Sequence, residues 1–278
     1  MKEKKSTKFR KFILMGVACV LVAAMSVSAT MAYLTAQTKN KVNSFSPTGG
    51  LKGQLIEPSW EQVDNFLPGK SYPKDPSVDN DTTDSKIYAA MKLEFQIWAS
   101  DENSNEGYVT VPYNVFKEFV TIEGLDTINN KTAVSSSSPE NEWYPMTVNG
   151  ANTNYKYYFY NAILAKDQGD GNDVGNPANN DVTAPLFRNV TVNSKLRLQE
   201  GGTAFTKSLF TAGSENTAVV NAAAAVTACT SNPSTAYSAF KFRIKCTGYG
   251  TKYEDSSTTA TVAEGYLKNI ITSKNPAA

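Results

Sequence analysis

The sequence predicts a mainly β domain at residues 33–278 that follows a cleaved export signal. Three observations support this prediction. Tyr and Phe, with 14 and 13 copies, are plentiful and favour strands. Residues 87–98 alternate apolar and polar side chains with the period of a half-buried strand. Long helical patterns are scarce, and residues 1–32 have the layout of a secretory signal.

The signal has a basic start, a short apolar run at residues 12–25 and a tail of small residues. Thr30 and Ala32 supply the small side chains needed at positions −3 and −1, so Tyr33 becomes the new N-terminus; a cut after Ala29 is the second choice. A membrane anchor is the alternative. A spanning helix needs about 20 apolar residues, and the run reaches that length only with its Ser-containing tail.

The composition excludes several classes of enzyme. The chain has no His, so neither a Ser-His-Asp triad nor an H-E-x-x-H zinc site can form. Cleavage removes six of the 27 basic and one of the 26 acidic residues, which leaves 21 and 25 and a formal charge of −4. This mildly acidic chain without a basic stripe is not expected to bind nucleic acid. No cofactor or metal ion is expected.

The N-terminal part predicts two short strands and a turn. Residues 33–45 form an edge-type strand in this interpretation, with Leu34, Ala36 and Val42 on one face. Residues 51–56 form a second strand. The turn is at Pro68-Gly69, and further along Pro76 forces extended backbone on Asp75.

The central part predicts the longest strand, two helical turns and a hairpin. The strand at residues 87–98 has one apolar face, and residues 112–119 form the helical turns. A polar surface loop covers residues 131–141, and residues 143–147 pair with residues 155–164. The hairpin carries Tyr155, Tyr157, Tyr158, Phe159 and Tyr160. Aromatic residues on a strand usually fill a core; a sugar-stacking surface is the alternative.

The following loop and the C-terminal part leave three choices open. Asp167, Asp170 and Asp173 suggest Ca²⁺, but the spacing does not match an EF-hand, and a solvated loop is preferred. Residues 218–228 fit a buried helix or a strand equally well. A long strand at residues 237–250 and a helix at residues 258–273 follow. Cys229 and Cys246 form either a disulfide, which export permits, or two buried free thiols.

Several motifs resemble the TasA/camelysin family of Gram-positive exported proteins. Residues 32–45 read Ala-Tyr-Leu-Thr-Ala, a polar spacer and Asn-Ser-Phe, where members typically have Ala-Tyr-Phe-Thr-Asp and Asn-x-Phe. Residues 66–80 resemble the family signature Leu-x-Pro-Gly-x-x-x-x-Lys-Asp-Pro-x-Val-x-Asn, and residues 185–192 its Pro-Leu-Phe segment. The chain departs from the family at Leu34 and Ala36, and in insertions at residues 168–184 and 201–234.

The resemblance implies a jelly-roll-like antiparallel β-sandwich with a few short helices, processed by a dedicated ER-type signal peptidase. The leading hypothesis is a secreted subunit of biofilm-matrix fibres. Residues 33–45, with Tyr33, Leu34, Ala36, Val42 and Phe45, would add a strand to the next copy. In the alternative, these residues pair within their own domain.

Expected partners are further copies of the chain, the signal peptidase during export, and matrix proteins or polysaccharide. No stable membrane anchor is expected after cleavage. A monomeric surface-binding module or adhesin is the second hypothesis. A peptidase is not expected, because without histidine it would need an unusual carboxylate or Ser/Lys site, and the sequence shows no such constellation.

Overall fold

The structure is a computed structural model of the chain. It describes residues 51–59, 66–101, 103, 105–149, 154–167, 180–197, 205–211, 213–231, 240–255 and 258–274, and the backbone of residues 43–46. The predicted cleavage residues Thr30, Ala32 and Tyr33 lie outside this set. So do Leu34, Ala36 and Val42 of the predicted donor strand.

The described residues form a mixed but strand-rich fold, so the prediction of a mainly β chain holds in part. The helices are α1 (Tyr113–Phe116), α2 (Leu125–Asn129), α3 (Ser208–Thr211), α4 (Glu215–Ser231) and α5 (Ala260–Lys274). The strands are β1 (Asn43–Ser46), β2 (Gln54–Ile56), β3 (Ser71–Pro73), β4 (Ser77–Asp79), β5 (Ile87–Ser100), β6 (Glu106–Val111), β7 (Val120–Ile122), β8 (Trp143–Pro145), β9 (Tyr155–Tyr160), β10 (Asn189–Val192) and β11 (Phe242–Lys252).

Strand β5 is the centre of a six-stranded sheet. Five strands follow the order β1-β11-β5-β9-β8, and the sixth, β6, also pairs with β5. Its fourteen residues are long enough to pair with β11 on one edge and with both β9 and β6 on the other. The hairpin predicted from the aromatic residues is confirmed, with Trp143 opposite Tyr160. Two smaller antiparallel sheets, β3-β10-β7 and β2-β4, complete the described strands. None of these sheets closes into a barrel.

One face of the large sheet borders the main hydrophobic core. The alternate residues of β5 that were predicted as apolar lie in it, together with Val120 and Val190 of the three-stranded sheet. Phe119 and Phe240 stack with their ring centroids 5.6 Å apart. The two sheets thus share one core, as the layers of a sandwich do.

The opposite face of the sheet is also buried where helix α5 packs on it. Tyr88 and Ala90 of β5 share a second hydrophobic cluster with Ala263, Leu267 and Ile271 of the helix. The prediction of a half-buried strand is therefore wrong for this part of β5. The sequence pattern did not reveal this, because a two-residue period cannot show that a distant helix covers the second face.

The helix predicted at residues 258–273 is confirmed, but its most regular apolar row does not face the sheet. Val262 and Tyr266 are 40% and 54% exposed, whereas Leu267 is fully buried. Within the described residues, no helix is long and apolar enough to cross a membrane.

The open choice at residues 218–228 is settled as a helix, because these residues lie within α4. Its alanine-rich sequence has the highest intrinsic helix propensity. Ala218, Ala222, Val226 and Cys229 are buried in the main core. The predicted insertion at residues 201–234 thus contributes to the core. Strand β11 begins at Phe242, later than predicted, and residues 232–239 before it are among those not described.

Two neighbouring substitutions in α5 test which side of the helix faces the sheet. We expect Leu267→Ala to lower the free energy of unfolding by about 2–5 kcal/mol, because it removes buried methyl groups and leaves a cavity. The control Tyr266→Ala removes a larger but exposed side chain and should change stability by less than about 0.5 kcal/mol. Urea denaturation of the two variants makes the comparison. Equal losses would contradict the described orientation.

Candidate assembly site

The candidate assembly site is the edge of the large sheet where β1 lies beside β11. The two strands run parallel, with Ser44 opposite Thr247 and Phe45 opposite Gly248. A parallel pair cannot be closed by a tight turn and needs a long connection. Here almost the whole described fold lies between the two strands. The pairing therefore does not depend on local chain connectivity.

Phe45 is the one predicted donor residue within the described backbone, and it occupies β1. The strand pairs with β11 of its own chain, as the alternative interpretation of the segment expected. The edge position of the strand agrees with the sequence prediction.

The turn predicted in the signature segment is confirmed. The amide of Lys70 donates a hydrogen bond of 3.1 Å to the carbonyl oxygen of Leu67. Gly69 has a φ of 77°, as the third position of a type II turn requires, and Pro68 precedes it. A Cβ atom at Gly69 would lie 3.2 Å from Cβ of Ser194, so glycine also permits the close approach of the two segments.

A buried ion pair fixes the signature segment to the residue that follows β2. Nζ of Lys74 lies 2.5 Å from Oε1 of Glu57, and the two side chains are 9% and 0% exposed. The neighbouring carboxylate of Asp75 accepts hydrogen bonds of 2.9 and 3.1 Å from the amide of Ser59. Charges buried in this way are tolerated when they are paired with good geometry.

Asn80, at the end of the signature, connects three other segments. Its side-chain amide donates to the carbonyl oxygens of Ser85 at 3.0 Å and Ala165 at 2.5 Å. Its backbone amide donates to the carbonyl oxygen of Asp181 at 3.0 Å, and its Oδ1 accepts from Thr82 at 3.1 Å. Asn80 is fully buried. These contacts are structural: they satisfy backbone groups, and no nucleophile with an adjacent base is among them.

The residues of this polar network were partly missed by the sequence analysis. The signature drew attention to Lys74 and Asn80, but Glu57, which pairs with Lys74, and Thr183, which bonds to Val78, carried no signal. Thr183 accepts a hydrogen bond of 2.9 Å from the amide of Val78 through its Oγ1.

Two adjoining cavities lie beside the network, with volumes of about 490 and 550 Å³. Asn141, Asn180, Tyr160 and Val182 line both. Asn141 and Asn180 have φ values of 60° and 53°, in the left-handed region that non-glycine residues seldom occupy. Both asparagine side chains are exposed. This groove offers amide hydrogen-bonding groups to a ligand.

The two cysteines are free and buried, so the structure shows the second of the two open choices. Both belong to the main hydrophobic core, Cys229 on α4 and Cys246 on β11. Burial raises the pKa of the Cys246 thiol to about 12. A protonated, enclosed thiol is not a nucleophile.

The aromatic hairpin mostly belongs to the core, although Tyr155 is partly exposed. Tyr157, Tyr158, Phe159 and Tyr160 are all buried, and burial raises the pKa of Tyr158 well above its ordinary value. Of the predicted acidic loop, Asp167 is described and residues 168–179 lie outside the described set. Within the described ranges, no three His, Cys, Asp or Glu side chains are grouped to hold a metal ion.

No protein-family model, curated protein or solved structure matches this chain. The resemblance to the TasA/camelysin family therefore stays a prediction from the quoted motifs.

Alkylation of the mature protein tests the state of the cysteines. Iodoacetamide at pH 8, without reductant, should leave the folded chain unmodified, because both thiols are buried and the pKa of Cys246 is raised. The same reagent in denaturant should modify both thiols, as counted by intact mass. Two unmodified cysteines in denaturant that become reactive after reduction would instead show a disulfide.

Substitutions of the buried ion pair test its structural role. Lys74→Met leaves the carboxylate of Glu57 buried without its cation and should cost about 3–5 kcal/mol of unfolding free energy. The double variant Glu57→Leu, Lys74→Met removes both charges and should recover most of that loss. Denaturant unfolding of the single and double variants measures the coupling. Strictly additive losses would show that the two groups do not interact.

Proposed function

We propose that this chain is a secreted structural protein, the subunit of extracellular biofilm-matrix fibres that assemble by strand addition. The observation that carries the proposal is the position of β1 at the edge of the large sheet, paired with a strand from the far end of the chain. The same parallel ladder can be formed when another copy supplies residues 43–46. The residues that precede them would extend the added strand.

We propose an open polymer in place of a closed pair. The donor segment and the acceptor edge of β11 are different surfaces of one chain, so an exchange that passes from copy to copy is a head-to-tail contact, whereas a reciprocal exchange would close a dimer. Head-to-tail contacts that do not close on themselves give filaments. Main-chain hydrogen bonds supply affinity in such strand addition, and alternate side chains set the register.

Signal cleavage gives the assembly a control step in this proposal. Thr30 and Ala32 direct the ER-type signal peptidase to free Tyr33, and with it the donor residues Leu34, Ala36, Val42 and Phe45. Before cleavage, the membrane-held signal keeps the segment away from other copies. Assembly would then begin after export, outside the cell.

A jelly-roll-like sandwich is the finer fold that we propose for the subunit. The six-stranded and three-stranded sheets share one hydrophobic core, which supports a sandwich. The polar network around Lys74 and Asn80 supports a rigid subunit, because it joins segments that are distant in sequence.

A monomeric surface-binding module is the second candidate. The groove at Asn141 and Asn180 favours it, because this concave surface exposes amide groups that can hydrogen-bond a ligand. The chain would then use its exposed amides to recognise a ligand, and β1 would be an ordinary edge strand.

Electron microscopy of purified protein tests the fibre proposal. A chain beginning at Tyr33 should form filaments, and a chain beginning at Pro47 should stay monomeric, because it lacks the donor segment and β1. Circular dichroism of the shorter chain controls for folding. Monomers from the longer chain at high concentration would refute strand addition and favour the binding module.

A cross-link at the β1–β11 register separates exchange between copies from pairing within one copy. Ser44 and Thr247 lie opposite each other, and adjacent strands are about 4.8 Å apart, within the range of a disulfide. The double variant Ser44→Cys, Thr247→Cys should give a ladder of covalent multimers on a non-reducing gel. The single variants control for other contacts. A cross-linked monomer alone would place β1 in its own subunit.

A further inference from the structure

The face of the large sheet that carries α5 has a second, polar half. Under the helix lie Tyr88, Ala90 and Tyr249. Farther along β5 the same face carries Glu94, Gln96 and Trp98, and Trp98 is partly exposed. Across the sheet, Tyr108 and Thr110 of β6 pair with Trp98 and Gln96. A partly exposed surface results.

Three cations form a row on this surface, which we call the basic row. They are Lys241, just before β11, and Arg243 and Lys245 within it. Alternate residues of a strand point to the same face, and all three are partly exposed. The sequence analysis expected no basic stripe. The alternation Lys-Phe-Arg-Ile-Lys conceals it, because two buried apolar residues separate the charges.

Positive charge exceeds negative charge on this surface. Lys92 adds a fourth cation, whereas Glu94 and Glu106 are the carboxylates with contacts there. Lys245 pairs with Glu94 at 3.0 Å, and Glu106 accepts a hydrogen bond of 3.1 Å from the Trp98 indole. The excess of cations contrasts with the formal charge of −4 of the mature chain.

Aromatic rings hold two members of the basic row close to the sheet. Nζ of Lys241 lies 4.8 Å from the ring centroid of Trp98, and the Arg243 guanidinium lies 3.5 Å from that of Tyr108. The two rings meet edge to face with centroids 4.9 Å apart. Such contacts orient cations along the surface and leave their donors available.

Two buried polar atoms within this surface have no hydrogen-bond partner in the protein. They are Oε1 of Gln96 and the hydroxyl of Tyr108. The Gln96 amide nitrogen donates to Oε1 of Glu94 at 2.6 Å, which fixes the orientation of the amide and leaves its oxygen as an acceptor. Gln96 is 9% exposed. Both atoms are closed to solvent in this arrangement, so a ligand would reach them only where the side chains that cover them move aside.

We propose that this surface binds an acidic polysaccharide of the uronate type. Its carboxylates would accept hydrogen bonds from the basic row. Once the covering side chains move towards those carboxylates, its hydroxyl groups would donate to Gln96 Oε1 and pair with the Tyr108 hydroxyl. An extended polysaccharide can lie along this face of the sheet. A DNA backbone matches less well, because its phosphodiesters accept hydrogen bonds but carry no hydroxyl donors. This binding is independent of strand addition.

Calorimetric titration of the mature protein with polygalacturonate tests the proposal, with dextran, polyphosphate and double-stranded DNA as comparison polymers. We expect binding of polygalacturonate, none of dextran, and at least tenfold weaker binding of polyphosphate and DNA per charge. The double variant Lys241→Gln, Arg243→Gln should lose affinity for polygalacturonate at least tenfold. The control Lys86→Gln, Lys252→Gln removes two exposed cations elsewhere and should bind within twofold of the unaltered protein.

Tyr108→Phe separates hydroxyl recognition from charge. It keeps the ring under Arg243 and removes a hydroxyl without a partner in the protein, so the fold should be retained. We expect several-fold weaker binding of polygalacturonate and unchanged binding of polyphosphate. The proposal is overturned by a lack of polygalacturonate binding, by equal affinity for all polyanions, or by an equal loss in the control variant. Thermal unfolding of each variant confirms that it is folded.

Discussion

The backbone pairing of β5 on both of its edges is the interaction on which the rest of the structure depends. Strand β11 pairs along most of one edge, and β9 and β6 share the other. A central strand satisfies its backbone groups and can be buried on both faces. Its apolar residues then contribute to the main core on one face and to the surface on which helix α5 packs on the other. β1 depends on β5 as well, because it pairs with β11.

The polar network of the signature segment is a second constraint, set by the cost of burying charge. Lys74 needs the carboxylate of Glu57, and Asn80 needs the carbonyl oxygens of two other segments. Loss of one partner would leave a buried group unsatisfied, and the cost of that is greater than the gain from the bond itself. The network thereby fixes the region next to the two-stranded sheet and the groove at Asn141. Its described contacts satisfy buried polar groups and hold distant segments together.

The two proposals concern different parts of the same large sheet. Strand addition uses the edge at β1, where backbone groups meet a neighbouring chain. Polysaccharide binding uses the polar half of the face opposite the main core, where side chains of β5, β6 and β11 meet a ligand. Because an edge and a face can be occupied together, a fibre built through β1 would present the basic row of each subunit along its length. A matrix component with both properties would join protein fibres to polysaccharide.

The sequence by itself determined the features that depend on local chemistry. These are the turn at Pro68-Gly69, the long strand β5, the aromatic hairpin and the C-terminal helix. Local periodicity and turn geometry suffice for such elements. Tertiary structure alone decided that Leu267 and not Tyr266 faces the sheet, that residues 218–228 form a core helix, and that Lys74 meets Glu57. It also brought Gln96, Tyr108 and Arg243 onto one surface. Each of these outcomes depends on which distant segment covers a residue, and burial of that kind leaves no periodic signal in a single chain.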